Sequence, residues 1–167
     1  MNERSVHPYE PFIPQGADRL IIGTIPPYRF CRRDGVLLDG DVDFYYGSRS
    51  NYFWHLMSEV SGVPLEYADS DDAVEERKRL LCRLHTGITD IVESCTHRDG
   101  RSDDASLCDI ERRNIAGLLS RYSSIDELIY TSRFVVSQMN AELSARHRWL
   151  TADRMNGEIV VNRRCYR

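Results

Sequence analysis

The sequence predicts an α/β fold: a three-layer α/β/α sandwich around a mostly parallel, four-stranded central sheet. Three observations predict it. Short apolar runs that read as buried strands recur along the chain, the clearest being Arg19-Leu20-Ile21-Ile22-Gly23. Segments with a helical period lie between them. The resulting order is strand, helices, strand, helix, strand, helix, strand, the alternation that builds a parallel sheet with both faces covered. A chain of 167 residues suits a single domain over 1–167 with a real core.

Residues 1–18 hold three prolines and little periodicity, so they read as a lead-in segment. The strand at 20–23 is stopped by Gly23 and Pro26-Pro27. Residues 26–50 are polar and aromatic without a period, and a loop of that length in a compact domain is usually functional or disordered. Residues 51–60 read as a helix with Phe53, Trp54, Met57 and Val60 on one face, ended by Gly62 and Pro64. Residues 71–84 form a second helix, acids first and arginines last as the macrodipole favours, closed by Gly87. Strand 88–93 follows, then a charged surface loop at 96–106, a helix at 108–121, a strand at 127–131 and a helix at 132–146. Residues 158–162 read as the last strand, or as one arm of a hairpin. In such open sheets ligands bind beyond the carboxyl ends of the strands. The loops after Gly23 and after Glu93 both belong there.

Composition removes several classes. Five cysteines, Cys31, Cys82, Cys95, Cys108 and Cys165, are odd in number and form no C-x-x-C pair. Neither a disulfide framework nor a zinc ribbon fits, and a reducing cytosol does. Cys82 and His85 could share a helix face, but two ligands do not make a metal site. No metal or cofactor is expected. No apolar run approaches 18 residues, so no membrane span is expected, and the N-terminus lacks a hydrophobic signal region. A cytoplasmic monomer is the expectation. The net charge of -4 is not the footprint of a strongly basic nucleic-acid binder. Yet Lys78 is the one lysine among 22 basic residues, and arginine is the better bidentate phosphate ligand. A GC-rich coding sequence would give the same bias.

The stretch that carries chemistry is Gly23-Thr24-Ile25-Pro26-Pro27, a gap, then Phe44-Tyr45-Tyr46-Gly47-Ser48-Arg49-Ser50-Asn51-Tyr52-Phe53-Trp54. Gly23 and the prolines make a rigid turn at a strand end, leaving main-chain N–H groups to face a ligand. Tyr45 and Tyr46 offer flat faces for stacking a base. The Asn51 amide can read a base edge or position a water. This pattern resembles the uracil-DNA glycosylase superfamily. It is most similar to the branch with a YYG-x-x-x-N-x-FW segment, as in hypoxanthine-DNA and mismatch-specific glycosylases. Gly87-Ile88-Thr89-Asp90-Ile91-Val92-Glu93-Ser94-Cys95 resembles the second strand and loop of that branch.

The resemblance implies removal of a deaminated base, hypoxanthine or uracil, from damaged duplex or single-stranded DNA. The base is flipped out, and the N-glycosidic bond is hydrolysed through a cationic sugar. It implies Tyr46 as the stacking aromatic and Asn51 as the catalytic residue. Thr24, Ile25 and Pro26 lie where main-chain groups touch the base and the attacking water. The chain differs from the family at three places: Ile25 stands where most branches have Asp or Asn, Thr131-Ser132 where relatives often have Asn-Gly, and the final Ser/Pro-rich wedge motif is missing before Arg167. These differences keep a second expectation open, a non-catalytic relative that binds a nucleobase, nucleotide or partner.

Other roles compete with the functional ones. Asn51 also suits a helix N-cap. Phe53 and Trp54 read as core. Asp90 and Glu93, at a strand end, read as exposed carboxylates with the option of holding water or sugar. Arg29, Arg49 and His97 are candidate phosphate contacts, with Arg32 and Arg33 beside them in a solvated loop. His55 has no evident partner.

Overall fold

The computed structural model describes residues 3–32, 36–98, 101, 103–146, 152–153, 158–161 and 164–166. At its centre are three parallel strands: β2 (Arg19–Gly23), flanked by β3 (Thr86–Asp90) and by β6 (Glu127–Tyr130). β2 is the middle strand, and Leu20, Ile21 and Ile22 are all buried. A strand covered on both faces must be apolar on both, which is why this run shows no alternation. Leu20 and Ile22 join a core cluster with Ile115, Leu119, Val135 and Met139. These come from α4 (Ile115–Arg121) and α5 (Arg133–Arg146). Ile21 faces the opposite cluster with Trp54, Leu80 and Leu81, from α2 (Phe53–Ser61) and α3 (Asp71–Arg83). Helices therefore cover both faces of the central sheet.

Among the described residues the central parallel sheet has three strands, not the four expected from the sequence. β8 (Glu158–Val161) is a strand, but it lies in a separate antiparallel sheet between β7 (Ala152–Asp153) and β9 (Arg164–Tyr166). The strand expected at 88–93 also divides. Its first part is β3, and its second continues as β4 (Val92–His97) in another antiparallel sheet. There β4 sits between β1 (Glu3–Val6) and β5 (Leu107–Arg112). The cause is local. Ile91 and Val92 still donate to the carbonyls of Gly23 and Thr24, but Pro26 and Pro27 have no N–H with which to extend the ladder. The chain then turns to other partners: His7 N–H donates to Glu93 and Arg113 N–H to Ile91.

Five further expectations change. Residues 107–112 are a strand, not the first half of a helix. From Cys108 to Arg112 half-buried and exposed residues alternate with a two-residue period, and the helix begins only after Asn114, whose side chain accepts the Gly117 N–H. The lead-in segment supplies β1 and a bridge in which Phe12 and Ile88 exchange main-chain hydrogen bonds of 3.1 and 2.8 Å. Gly87 lies inside β3, where a Cβ would press on Ile13 and Leu20, and α3 instead ends at Arg83. Val60 is exposed, whereas Trp54 on the same helix is buried; Gly62 ends that helix with φ of 68° as expected. Within the loop expected at 96–106, Thr96 and His97 belong to β4, and Ser106 is buried in a short 3-10 turn.

Candidate functional site

The site grows from the place where the parallel ladder stops. β2 ends at Gly23, β3 ends beside it at Asp90, and β6 ends at Tyr130, so Thr131 follows on the other side. A Cβ on Gly23 would land on the Tyr46 hydroxyl and on Asp90 Oδ1. Only glycine lets both groups stand over this strand end. Tyr46 arrives from the loop between α1 (Tyr28–Cys31) and α2. A tight knot aims it: the Val42 N–H donates to the Gly47 carbonyl, the Gly47 N–H donates to the Phe44 carbonyl, and a Cβ at Gly47 would strike the Val42 carbonyl. Trp54 Nε1 donates to the Tyr45 carbonyl at 2.7 Å and fixes the knot to α2. Tyr46 itself has φ of 55°, a left-handed conformation that tyrosine adopts at a cost and that clusters at functional sites.

The Tyr46 ring stacks on Phe53, with centroids 4.4 Å apart. Its hydroxyl donates to Thr131 Oγ1 at 3.0 Å, and Thr131 Oγ1 donates to the Ile22 carbonyl at 3.3 Å. Burial pushes the Tyr46 phenol well above its ordinary range, as does the nearby Asp90 carboxylate. On the far side of Asp90, His7 Nε2 meets Oδ2 at 2.8 Å. Asp104 comes from the 3-10 turn before β5. Burial raises its carboxyl, while hydrogen bonds from Thr24 and Ser132 pull it back. Burial also pushes the Cys31 thiol up to about 12, with Cys95 and Asp90 adding to the shift. At this strand end Asp90 and His7 are buried, Thr24, Cys31, Tyr46 and Asp104 are half-buried, and Thr131 is exposed.

The expected site residues fall into three places. Tyr46 sits at the strand end, and Thr24 borders it through Asp104. Ile25 is half-buried and packs against the core cluster under α4 and α5. Buried Pro26 accepts the Cys31 thiol through its carbonyl. Asn51 is half-buried, and its Oδ1 accepts the Phe53 N–H at 2.9 Å, so its carbonyl oxygen opens α2; Phe53 links it to Tyr46. Arg29 and Arg49 gather at a second centre, Asp41. Arg29 Nε and Nη2 donate to both carboxylate oxygens at 2.8 Å, and the Arg49 N–H donates at 2.8 Å. The Arg49 side chain is exposed. Burial works to raise the Asp41 carboxyl, but Arg29 and the N–H groups of Arg49 and Leu38 outweigh it and hold it at about 2. His97 is buried on β4, with Nδ1 at 2.8 Å from the Arg101 carbonyl and its ring beside Tyr28. Arg33 lies outside the described residues.

One residue at the strand end, His7, escaped the sequence reading. His7 lies in the proline-containing lead-in, where no pattern announces a partner 83 positions away. Asp90 is 4% exposed, not the solvent-facing carboxylate expected. Glu93 is half-buried and paired with Arg113 at 2.6 Å. An acid closing an apolar strand beside the first strand's end was the available signal. Among the described residues, no cluster of three metal-ligating side chains occurs, Cys31, Cys82, Cys95 and Cys108 are unpaired, and no helix is long and apolar enough to cross a membrane.

No family model and no curated protein matches the chain. Among solved structures, it is similar to the solution NMR structure of a protein from Methanosarcina acetivorans described as a "putative Uracil DNA glycosylase". The TM-score is 0.60 at 19% identity, over 86% of this chain and 78% of that one. The likeness shows the fold: a mixed α/β protein folded like that "putative Uracil DNA glycosylase".

Proposed function

We propose that this chain is a DNA glycosylase that flips a deaminated base, hypoxanthine or uracil, and hydrolyses its N-glycosidic bond. The observation that carries this reading is the meeting of Gly23, Tyr46, Asp90 and Thr131 at the carboxyl end of the middle strand. That is where open α/β sheets bind ligands, and the shared fold supports it. In this reading Tyr46, backed by Phe53, gives its other face to the flipped base. Main-chain groups of Thr24, Ile25 and Pro26 contact the base and the water. Asn51 positions that water with its free amide and remaining lone pair. Exposed Arg49 meets the phosphates with Arg29 beside it, whereas buried His97 does not reach them. No metal or cofactor takes part, and the protein works on DNA as a cytoplasmic monomer.

One observation favours a second reading, base binding without hydrolysis. Asn51 Oδ1 already accepts the Phe53 N–H, and Ile25 cannot orient water. The deciding experiment uses duplexes with one inosine or uracil opposite each normal base, followed by alkaline cleavage of abasic sites. Release by the wild type that falls on the order of a hundredfold in Asn51→Ala supports hydrolysis with Asn51 as the water-positioning group. Tight binding of the same duplexes with no release supports the binding reading.

A further inference from the structure

Burying a carboxylate is unfavourable unless a cation or several N–H groups meet it. Asp90 is almost fully buried, and among the described residues one polar side chain, His7, is bonded to it. The His7 side chain is itself 0% exposed. Its Nδ1 receives the Tyr9 main-chain N–H at 3.1 Å. An imidazole nitrogen that accepts carries no proton, so the ring proton sits on Nε2 and is donated to Asp90 Oδ2. In that tautomer His7 is a donor without positive charge. The other oxygen, Oδ1, stands over Gly23 beside the Tyr46 hydroxyl. Tyr46 gives its proton to Thr131, and Thr131 gives its own to Ile22. The buried Arg113 guanidinium is committed to Glu93, Tyr45, Thr89 and the Tyr9 carbonyl. Among the described residues, Oδ1 has neither a cation nor a proton donor.

We infer that Asp90, oriented by His7, is the charge that faces the sugar as the base departs, an inference that rests on the glycosylase reading above. In that step the C1′–N bond breaks and its electron pair leaves on the base. Positive charge develops on C1′ and the ring oxygen. The water oxygen bonds to C1′, and the proton the water loses ends on the base nitrogen. Asp90 forms no bond; it holds the positive charge from a buried position, where a fixed anion acts more strongly than in water. The turn after β2 carries apolar Ile25, and β3 supplies the carboxylate at this strand end. Asp90 is the catalytic residue in this account, and His7 is a positioning residue.

The test uses the full chain and two duplexes. One carries a pyrrolidine abasic nucleotide, cationic at neutral pH; the other carries its neutral tetrahydrofuran counterpart. The wild type is expected to bind the cationic duplex at least about tenfold more tightly. Asp90→Asn removes the preference, and Asn51→Ala keeps it. His7→Ala reduces it, whereas His7→Gln, whose amide can still donate to Oδ2, retains most of it. Base release from inosine or uracil duplexes is measured in parallel, and thermal melting confirms that each variant is folded. Equal affinity of the wild type for the two duplexes overturns the inference without recourse to any variant; base release by the same protein then leaves the glycosylase reading standing. A preference that survives Asp90→Asn also overturns it. A preference that Asp90→Asn abolishes, with no release from any duplex, upholds Asp90 as the cation-holding group and overturns hydrolysis.

Discussion

Asp41 and Asp90 are both buried, at 0% and 4% exposure, yet their surroundings are opposite. Asp41 receives two N–H groups from Arg29, one from the Arg49 main chain and one from the Leu38 main chain. Every strong demand of its charge is met inside the protein. Asp90 receives one proton from His7, and its second oxygen stands over a bare glycine. The two carboxylates are the same chemical group; what differs is how much of the charge the fold has already neutralised. A carboxylate fully met by the protein holds a loop in place. One met halfway keeps its charge for something that arrives later.

The largest effect follows from breaking the satisfied centre. Arg29→Ala removes the guanidinium from Asp41 and leaves a buried charge uncompensated, at a cost of about 3 kcal/mol. Urea unfolding measures this; a loss under about 1 kcal/mol would mean that the pair behaves as an exposed one.

The pH dependence comes next. The Asp41 carboxyl is held at about 2, below the ordinary carboxylate range. A depressed carboxylate stabilises the fold where it is ionised. Its contribution is full above the unfolded value near 4 and disappears as pH falls toward 2, on the order of 2 kcal/mol. Melting curves between pH 5 and pH 2 check it. The fall in wild-type stability should exceed that of Asp41→Asn, which has no such group to protonate.

Gly23→Ala sharpens the comparison from the other side. Its methyl group would overlap Tyr46 and Asp90, so stability falls by roughly 1–3 kcal/mol and base release falls with it. A crystal structure of the variant with Tyr46 unmoved would remove Gly23 as the reason for the convergence. The smallest effect is a control distant from both centres in the sequence. Ser70 caps α3 by accepting the Ala73 N–H, and Ser70→Ala should cost about 1 kcal/mol while the rate of base release is unchanged.

The core of the fold was legible because burial imposes patterns that one strand or helix carries by itself. Leu20, Ile21 and Ile22 announce a strand covered on both faces, and the acids and arginines of α3 mark its ends. The antiparallel sheet was not legible. β1 lies in a segment that looks irregular, and its pairing with β4 joins Glu3 to His97. No local pattern encodes such a distant register. β5 was misread because the residues from Cys108 on run without a break into those of α4, and only the exposed Asp109 and Glu111 between half-buried neighbours point to a strand. The site divides in the same way. Gly23, Tyr46 and Asn51 stand in two adjacent motifs and could be singled out. The His7–Asp90 bond exists only once the pairing of β1 with β4 has carried His7 to the end of β3.

The most direct measurement places the two aspartates side by side. Asp41→Asn and Asp90→Asn are compared with the wild type for melting temperature and for the single-turnover rate of base release at saturating protein. The account predicts a crossed result. Asp41→Asn melts earlier with its rate essentially kept. Asp90→Asn melts at or above the wild-type temperature, because an incompletely compensated buried charge is gone, and its rate falls on the order of a hundredfold or more. If instead Asp90→Asn melts early and keeps the rate of whatever remains folded, Asp90 is a structural group like Asp41, and the division drawn between them is contradicted.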